Sequence, residues 1–266
     1  MTTIASRLQA VKTRISDAAR AAGRAPGEII LVAVSKTFPP QAIADAYAAG
    51  QTAFGENYAQ EGIEKITALS GLPLQWHAAS PDEEHSRAEG DVRPSAGVAS
   101  PEGPLLRPLE WHYIGPIQSN KTRPIAENFD WVHGIDRAKI AERLSAARPE
   151  NLPPLQVCVQ VNVSGEASKS GVAPDVVFGL AQTIMRLPRL RLRGLMAIPE
   201  PTPDTALQRS RFRMLREIRD DLLRRGVALD TLSIGMSDDL EAAIAEGATL
   251  VRVGRAIFGE RGAGAG

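Results

Sequence analysis

The sequence predicts a single α/β domain, a (β/α)8 or TIM barrel with an extra N-terminal helix and no second domain. Eight short apolar runs rich in β-branched residues recur along the 266 residues, each bounded by turn residues. Helix-like segments separate these runs, which is the pattern of repeated βα units and of a parallel sheet. The length also fits, because such barrels occupy about 200 to 250 residues as one unit.

The first element is an amphipathic helix. Ile4, Leu8, Val11, Ile15 and Ala18 recur at intervals of three and four residues, which places them on one helix face. The segment lacks the continuous apolar core of a signal peptide. We therefore expect this helix to pack on the barrel.

The strand predictions differ in strength. The first run is an unbroken apolar stretch, as expected for a strand that is buried on both faces, and the second, third and fourth runs are weaker. The predicted strands are 29–34, 53–55, 111–115, 131–134, 156–162, 192–198, 231–236 and 250–254. Eight βα units are the number that closes a TIM barrel.

The predicted helices begin with recognisable start signals. A proline, serine, asparagine or aspartate stands at the first position of each segment. The predicted helices are 39–49, 57–69, 119–127, 136–146, 174–186, 204–225 and 238–246. Because the alternation leaves little room for a further domain, we assign residues 1–266 to one barrel.

The segment 78–108 interrupts the alternation. It contains five prolines and six acidic residues, with almost no large apolar side chain. Such a composition cannot supply a core, so we expect an exposed, flexible insertion. The glycine- and alanine-rich end, 261–266, is expected to be a frayed tail.

Charge and hydropathy exclude several partners. The chain has 31 basic and 31 acidic residues, and no basic run could neutralise a row of phosphates. No apolar stretch approaches the roughly 18 residues that a membrane span needs. We expect a soluble cytoplasmic protein that binds neither nucleic acid nor membrane. A monomer is favoured because no long apolar helix face is left over once the barrel is covered.

The cysteine and the histidines do not indicate a metal or nucleophilic site. Cys158 lies between two valines, so we expect a buried core residue in a reducing compartment. His77, His85, His112 and His133 show neither helical pair spacing nor a nearby cysteine, so a zinc site is not expected.

A lysine closely follows the clearest strand. Lys36 comes two residues after the run 29–34, and the carboxyl ends of barrel strands form the active face. Desolvation there would lower the pKa of the ammonium group and make the amine available to a carbonyl compound. Alone this signal is weak, because a lysine that closes a strand is usually solvated.

The loops after the last two predicted strands have features of a phosphate site. Glycine lets backbone N–H groups approach phosphate oxygens, and a following helix adds free N–H groups. Ser237 would donate its hydroxyl, and Gly254 and Arg255 their backbone N–H groups. The alternative is that Ser237 only caps the next helix.

Two acidic residues complicate this interpretation. Asp238 and Asp239 follow the serine directly and would repel a phosphate. Either Arg252 or Arg255 offsets their charge, or both carboxylates point away. A second candidate segment, 165–171, is not a Walker motif because its lysine and serine precede the second glycine.

Five short motifs resemble, in order, those of the YggS/PROSC family of pyridoxal phosphate homeostasis proteins. They are Val-Ala-Val-Ser-Lys-Thr at 32–37, Phe-Gly-Glu-Asn-Tyr at 54–58, His-Tyr-Ile-Gly-Pro-Ile-Gln-Ser-Asn-Lys at 112–121, Val-Asn-Val-Ser-Gly-Glu-Ala-Ser-Lys-Ser-Gly at 161–171 and Gly-Met-Ser-Asp-Asp at 235–239. Together with the end of the last predicted strand, the five motifs span nearly all of residues 29–259. In combination they are specific to this family. One departure, Ile234 where methionine is expected, is a similar apolar residue.

The resemblance implies a fold-type III barrel, like the N-terminal domain of alanine racemase, that binds pyridoxal 5'-phosphate (PLP). It assigns the cofactor site to Lys36, Asn57, His112, Met236, Ser237, Arg252, Gly254 and Arg255. Lys36 would form the Schiff base, and Asn57 and the face near His112 would line the ring. Arg252 matches the arginine that faces the pyridine nitrogen in alanine racemase. Because an arginine keeps its proton, the ring would stay a poor electron sink.

The resemblance also implies a carrier without strong catalysis. A racemase needs acid/base groups on both faces of the substrate Cα, and alanine racemase takes one tyrosine from a separate C-terminal domain. The tyrosines here, Tyr47, Tyr58 and Tyr113, lie in no added domain. We expect a role in intracellular vitamin B6 and amino-acid homeostasis, with PLP passed transiently to PLP-dependent apoenzymes.

Two other functions remain open. One is a weak PLP-dependent amino-acid racemase or lyase, which would exchange the α-proton of a bound amino acid with solvent. The other is a cofactor-free aldolase that forms a Schiff base with its substrate on the same barrel. Such an aldolase would be colourless, and borohydride would trap its Schiff base only when substrate is present.

Overall fold

In the computed structural model, which describes residues 2–70, 108–165 and 170–260, eight parallel strands form a closed barrel. Each strand pairs with the next, and the last pairs with the first. The strands are β1 (Ile30–Val34), β2 (Ala53–Glu56), β3 (Glu110–Tyr113), β4 (Trp131–Ile135), β5 (Leu155–Gln160), β6 (Leu190–Met196), β7 (Thr231–Ser233) and β8 (Leu250–Val253). The predicted (β/α)8 barrel is confirmed.

Helices precede and connect the strands. They are α1 (Ile4–Ala21), α2 (Pro40–Ala48), α3 (Ala59–Leu69), α4 (Thr122–Asn128), α5 (Ala138–Ala147), α6 (Val177–Met185), α7 (Thr205–Arg224), α8 (Leu240–Ala245) and α9 (Arg255–Phe258). The helices predicted at 119–127 and 174–186 begin with 3₁₀ turns, Ser119–Lys121 and Pro174–Val176.

Several strands are shorter than predicted, and the seventh differs most. The seventh strand was predicted over 231–236, but β7 ends at Ser233. Gly235 has a φ of 94°, a left-handed conformation that glycine adopts without steric penalty. The chain therefore leaves the barrel before Met236, which lies in the loop at the strand's carboxyl end.

The N-terminal helix packs on the barrel as predicted. It buries Leu8, Val11, Ile15 and Ala19 and contacts α8 and α9, the helices on either side of β8. Thr3 caps this helix by accepting a hydrogen bond from the N–H of Ser6. Helix α1 thus supports the part of the barrel formed by the last two βα units.

The barrel interior contains both apolar and ionisable side chains. Trp131, Cys158 and Met196 form a small buried apolar cluster there. As predicted, Cys158 is a buried core residue, and burial raises the pKa of its thiol to about 12. Inside the same barrel, His133 and Arg252 are also buried, so the interior contains ionisable groups that need hydrogen-bond partners.

Two predicted segments fall largely outside the described residues. Of the predicted insertion, 78–108, only Pro108 is described, and the predicted tail, 261–266, lies wholly outside. Within the described ranges, no helix has the length and apolar character needed to cross a membrane. The same ranges contain no cluster of three or more histidine, cysteine or acidic side chains arranged to hold a metal ion.

Candidate functional site

A pocket of about 600 Å³ opens where β1, β7 and β8 end. Six of the eight predicted cofactor-site residues line it, namely Lys36, Met236, Ser237, Arg252, Gly254 and Arg255. They come from opposite ends of the sequence, and they meet because β8 pairs with β1. In the described part of the chain, Asn57 and His112 do not belong to this lining.

The loop that carries Lys36 is fixed on both sides of the lysine. Ser35 is fully buried, and its hydroxyl donates to Glu56 Oε1 at 2.6 Å. Thr37 has a φ of 68°, which is rare for a β-branched residue, and its N–H donates to Glu61 Oε1 at 2.5 Å. Lys36 is half-buried at the pocket. The backbone therefore has little freedom to move the lysine away.

A buried lysine on α3 joins these contacts. Lys65 Nζ donates to the Ser35 carbonyl at 2.8 Å, to Glu56 Oε1 at 2.8 Å and to Glu61 Oε1 at 2.6 Å. Burial raises the pKa of the Glu56 carboxyl, and the neighbouring Lys65 opposes that rise. We call Ser35, Glu56, Glu61 and Lys65 the β1 clamp, because together they hold the turn after β1.

The loop after β8 brings backbone N–H groups to the pocket. Gly254 is the N-cap of α9, so the first N–H groups of that helix have no acceptor within it and suit an anion. A Cβ atom on Gly254 would lie 3.0 Å from the carbonyl oxygen of Val34. Glycine therefore favours the close approach of this loop to β1, since a larger residue would require a small shift of the backbone.

The loop after β7 is held by the N-terminal helix. Arg14 on α1 donates to the carbonyl of Ser237 at 3.0 Å, and its guanidinium also donates to both oxygens of Glu241 on α8. The hydroxyl-bearing Ser237 is half-buried at the pocket. Packing of α1 on the barrel thus helps to place this serine.

The structure excludes one alternative for Ser237 and shows where its acidic neighbours lie. Helix α8 has Asp239 at its N-cap position, so the interpretation of Ser237 as the cap is wrong. Asp239 Oδ1 accepts a hydrogen bond from the N–H of Met236 at 2.6 Å, which turns this carboxylate toward its own loop. Asp238 is exposed and lines the pocket. Burial raises the pKa of the Asp239 carboxyl, and the charge of Arg252 opposes that rise, so Arg252 partly offsets this carboxylate.

A buried arginine lines the pocket beside Lys36. Arg252 is 3% exposed. Its Nη1 donates to the carbonyl and to the hydroxyl oxygen of Ser233, both at 2.6 Å, and its Nη2 donates to the carbonyl of Ala197 at 3.0 Å. Burial lowers the pKa of the guanidinium to about 10, so Arg252 remains a cation at neutral pH.

His112 lies inside the barrel and outside the residues that line the pocket, and its role beside the cofactor ring stays a prediction. Its ring is fully buried and stacks on Trp131, with ring centroids 5.4 Å apart. Its Nδ1 is 2.9 Å from His133 Nε2, and its Nε2 is 2.6 Å from Glu110 Oε1. Because His112 is in the middle of a short strand, its side chain meets neighbouring strands and not the loops that form the pocket.

Asn57 stays close to the carboxyl end of the barrel. It follows β2 directly and is half-buried. Its carbonyl oxygen would be 2.1 Å from a Cβ atom on Gly115, so the turns after β2 and β3 touch at this point. The role of Asn57 in cofactor binding stays a prediction.

The sequence interpretation missed the β1 clamp. Glu56 lies inside one of the motifs quoted above, and Lys65 follows Glu61 by four residues on a predicted helix, a spacing typical of an ion pair. That spacing predicts an exposed pair. The contact of Lys65 with Glu56 and with the Ser35 carbonyl depends on how α3 packs on the barrel.

Comparisons with known proteins agree with this architecture. Residues 6–262 match the family described as alanine racemase, N-terminal domain. The pyridoxal phosphate homeostasis protein of Pseudomonas aeruginosa is 53% identical over 265 residues, covering 100% of this chain and 99% of that protein. The protein of the same name from Vibrio cholerae is 49% identical over 261 residues, covering 98% of each.

Solved structures give the same result. PipY of Synechococcus elongatus, solved without PLP, is 32% identical and superposes with a TM-score of 0.76, covering 97% of this chain and 100% of PipY. The structure of PipY with PLP bound superposes with a TM-score of 0.74. With these relatives and the barrel described above, the chain belongs to the family of pyridoxal phosphate homeostasis proteins.

Proposed function

We propose that this protein holds PLP as a Schiff base on Lys36 and serves intracellular PLP and amino-acid homeostasis without strong catalysis of its own. The observation that carries the proposal is the convergence of Lys36, Ser237 and Gly254 on one pocket at the carboxyl end of the barrel. PipY, a relative that covers 97% of this chain, has been solved with PLP bound, and this supports the proposal.

The pocket has the size and the donors that PLP requires. Ligand sites commonly enclose about 300 to 1,000 Å³, and this pocket has about 600 Å³. The phosphate would accept hydrogen bonds from the Ser237 hydroxyl and from the N–H groups of Gly254 and Arg255. The Arg255 guanidinium, which also lines the pocket, would offset Asp238.

Lys36 would supply the covalent link. Its neutral amine and the aldehyde of PLP form a C=N bond and release the aldehyde oxygen as water, and the reverse reaction returns both partners. The β1 clamp fixes the turn on both sides of Lys36 while the side chain stays half-buried. A reversible link on a fixed but reachable lysine suits storage and transfer.

Arg252 would face the pyridine ring. Its guanidinium only donates hydrogen bonds, so a ring nitrogen beside it stays unprotonated and draws electrons weakly. Such a site holds PLP but stabilises a substrate carbanion poorly. Because alanine racemase has a corresponding arginine, Arg252 does not by itself distinguish a carrier from a racemase.

The tyrosines favour a carrier. Tyr113 is buried, and its hydroxyl donates to the carbonyl of Pro116 at 3.0 Å. Burial raises its pKa to about 12, which makes it a poor base at neutral pH. Tyr47 is buried and Tyr58 is exposed. In the described part of the chain, none of the three lines the pocket.

The proposal includes the cellular setting. We place the protein in the cytoplasm as a monomer formed by one barrel domain over 1–266, in transient contact with PLP-dependent apoenzymes. The zero formal charge gives no reason to expect nucleic acid or an acidic membrane surface as a partner.

The first experiment is a visible absorbance spectrum of the protein with PLP, followed by borohydride reduction and mass spectrometry of the peptides. Wild type should show the Schiff-base band and a PLP adduct on Lys36. The Lys36→Ala variant should show neither, while Lys139→Ala, a change at an exposed lysine on α5, should behave as wild type. Absence of the band in wild type with added PLP would refute the proposal and favour the cofactor-free aldolase.

A second measurement separates the carrier from a weak racemase or lyase. The PLP-loaded protein is incubated with amino acids in D₂O, and exchange of the α-proton is followed by NMR. No exchange above that of free PLP is expected. Exchange that depends on Lys36 would contradict the carrier and establish the alternative.

A further inference from the structure

A chain of hydrogen bonds crosses the barrel interior from the pocket to the opposite end. Arg252 Nη1 is 2.6 Å from Ser233 Oγ, which is 2.8 Å from His133 Nδ1. His133 Nε2 is 2.9 Å from His112 Nδ1, and His112 Nε2 is 2.6 Å from Glu110 Oε1. We call Ser233, His133, His112 and Glu110 the interior chain. It joins β8, β7, β4 and β3, and it ends at the first residue of β3.

Donor and acceptor chemistry allows every bond of the interior chain to point from Arg252 to Glu110. Arg252 can only donate, so Ser233 Oγ accepts from it, and in this direction the Ser233 O–H donates to His133 Nδ1. A neutral His133 then carries its proton on Nε2 and donates to His112 Nδ1. By the same logic His112 carries its proton on Nε2 and donates to Glu110, whose carboxylate only accepts.

This arrangement places one ring proton on each histidine. Burial lowers the pKa of His133 well below its ordinary value, and the nearby Arg252 cation lowers it further. Burial opposes ionisation of Glu110, but the hydrogen bond that its carboxylate accepts from His112 outweighs that effect, so its pKa is lowered. A cation at one end and a carboxylate at the other end therefore polarise every bond of the chain in the same sense.

We propose that the interior chain is a positioning device for Arg252, so that Glu110 at the amino end of the barrel influences ligand binding in the pocket at the carboxyl end. The proposal deepens the proposed function, because the ligand is PLP. Arginine has a long side chain with many rotamers. The hydroxyl of Ser233 holds one guanidinium nitrogen beside the backbone carbonyls of Ser233 and Ala197, and the hydrogen bond to His133 orients that hydroxyl.

The decisive variant removes one buried atom of the chain. Ser233→Ala deletes the hydroxyl, whereas Cys158→Ala deletes the thiol of another fully buried residue of the barrel interior. Because a hydrogen bond to a charged group is lost, Ser233→Ala should weaken PLP affinity about tenfold. Cys158→Ala should stay within about twofold of wild type, since it removes a weak hydrogen-bonding group.

The far end of the chain is tested at Glu110. Glu110→Ala leaves the Nε2–H of His112 without its acceptor, and it should weaken PLP affinity about threefold, by less than a direct contact would. Glu110→Gln keeps an oxygen acceptor and should restore most of the affinity. If Ala and Gln gave equal affinities, Glu110 would have no influence through hydrogen bonding.

A measurement without cofactor separates this proposal from the proposed function. In the PLP-free protein, nitrogen NMR should show His112 and His133 protonated on Nε2, and the guanidinium N–H groups of Arg252 should give separate, slowly exchanging signals. These Arg252 signals should average in Ser233→Ala and persist in Cys158→Ala. A proton on Nδ1 of either histidine, or averaged Arg252 signals in wild type, would overturn the interior chain even if PLP binds to Lys36. If wild type bound no PLP while the signals matched, the proposed function alone would fail.

Discussion

The two ends of the barrel use charged side chains in different ways. At the amino end, Arg193 donates to both carboxylate oxygens of Asp230 and to Gln156, and its guanidinium lies 4.9 Å from the ring centroid of Trp131. At the carboxyl end, cations line the pocket instead. At the amino end Arg193 is paired with Asp230, while at the carboxyl end Lys36, Arg252 and Arg255 line the proposed PLP site, as expected when a barrel separates stability from binding.

The carboxyl end also contains the more deeply buried ion pair. The side chains of Lys65 and Glu56 are 5% and 0% exposed, whereas those of Arg193 and Asp230 are 26% and 56% exposed. Removing one partner of a buried pair leaves an uncompensated charge, and water solvates the remaining partner of an exposed pair. The binding end is therefore expected to be the more sensitive to loss of a cation.

The largest expected effect tests this difference directly. Lys65→Met should lower the free energy of unfolding by about 3 to 5 kcal/mol, because Glu56 would stay buried without its partner. Arg193→Met at the amino end should lower it by only about 1 kcal/mol. Urea unfolding followed by circular dichroism measures both. Similar losses for the two variants would show that the ends do not differ as described.

If Lys65→Met does not fold, the double variant Glu56→Gln with Lys65→Met keeps the test available. It removes the unpaired charge and should recover part of the stability. PLP affinity of the folded double variant should still be reduced, because the β1 clamp no longer fixes the turn that carries Lys36. Wild-type affinity would contradict a positioning role for the clamp.

An intermediate effect is expected from glycine substitutions at the two ends. Gly254→Ala would place a Cβ 3.0 Å from the Val34 carbonyl oxygen, and shifting the loop after β8 should weaken PLP affinity about tenfold. Gly27→Ala, before β1 at the amino end, meets nothing within 4 Å and should leave affinity unchanged. Fluorescence titration with PLP compares them. Unchanged affinity in Gly254→Ala would remove this loop from the phosphate site.

The smallest effect concerns pH at the amino end. Burial alone would raise the pKa of Asp230, but hydrogen bonds from Arg193 and Thr231 outweigh it, so the folded pKa is lowered below 3.8. The stabilisation is therefore present above pH 3.8 and is lost as the pH falls through the folded value. Asp230→Asn should lower the free energy of unfolding by about 0.5 to 1 kcal/mol at pH 7, and less as the pH falls below 4. A difference that grew with acidity would contradict the sign of this shift.

Sequence patterns predicted the elements better than their contacts. Lys36 could be singled out because an unbroken apolar run precedes it, and burial of a strand is a local pattern. His112 belongs to an equally recognisable motif, but its motif does not say whether the ring faces the pocket or the barrel interior. The packing of β3 against β4 decided that question, by placing His112 between His133 and Trp131.

The sequence by itself determined the eight strands, the barrel, the loop positions of Lys36 and Ser237, and a neutral overall charge, but not the short helix α9. Each of these follows from local periodicity, turn residues or composition. Only the tertiary structure decided that Lys65 holds the turn after β1 and that His133 forms a hydrogen bond with Ser233, 100 positions later in the chain. Closure of the barrel brings such residues together, and spacing along the sequence carries no information about which inward-facing side chains will meet.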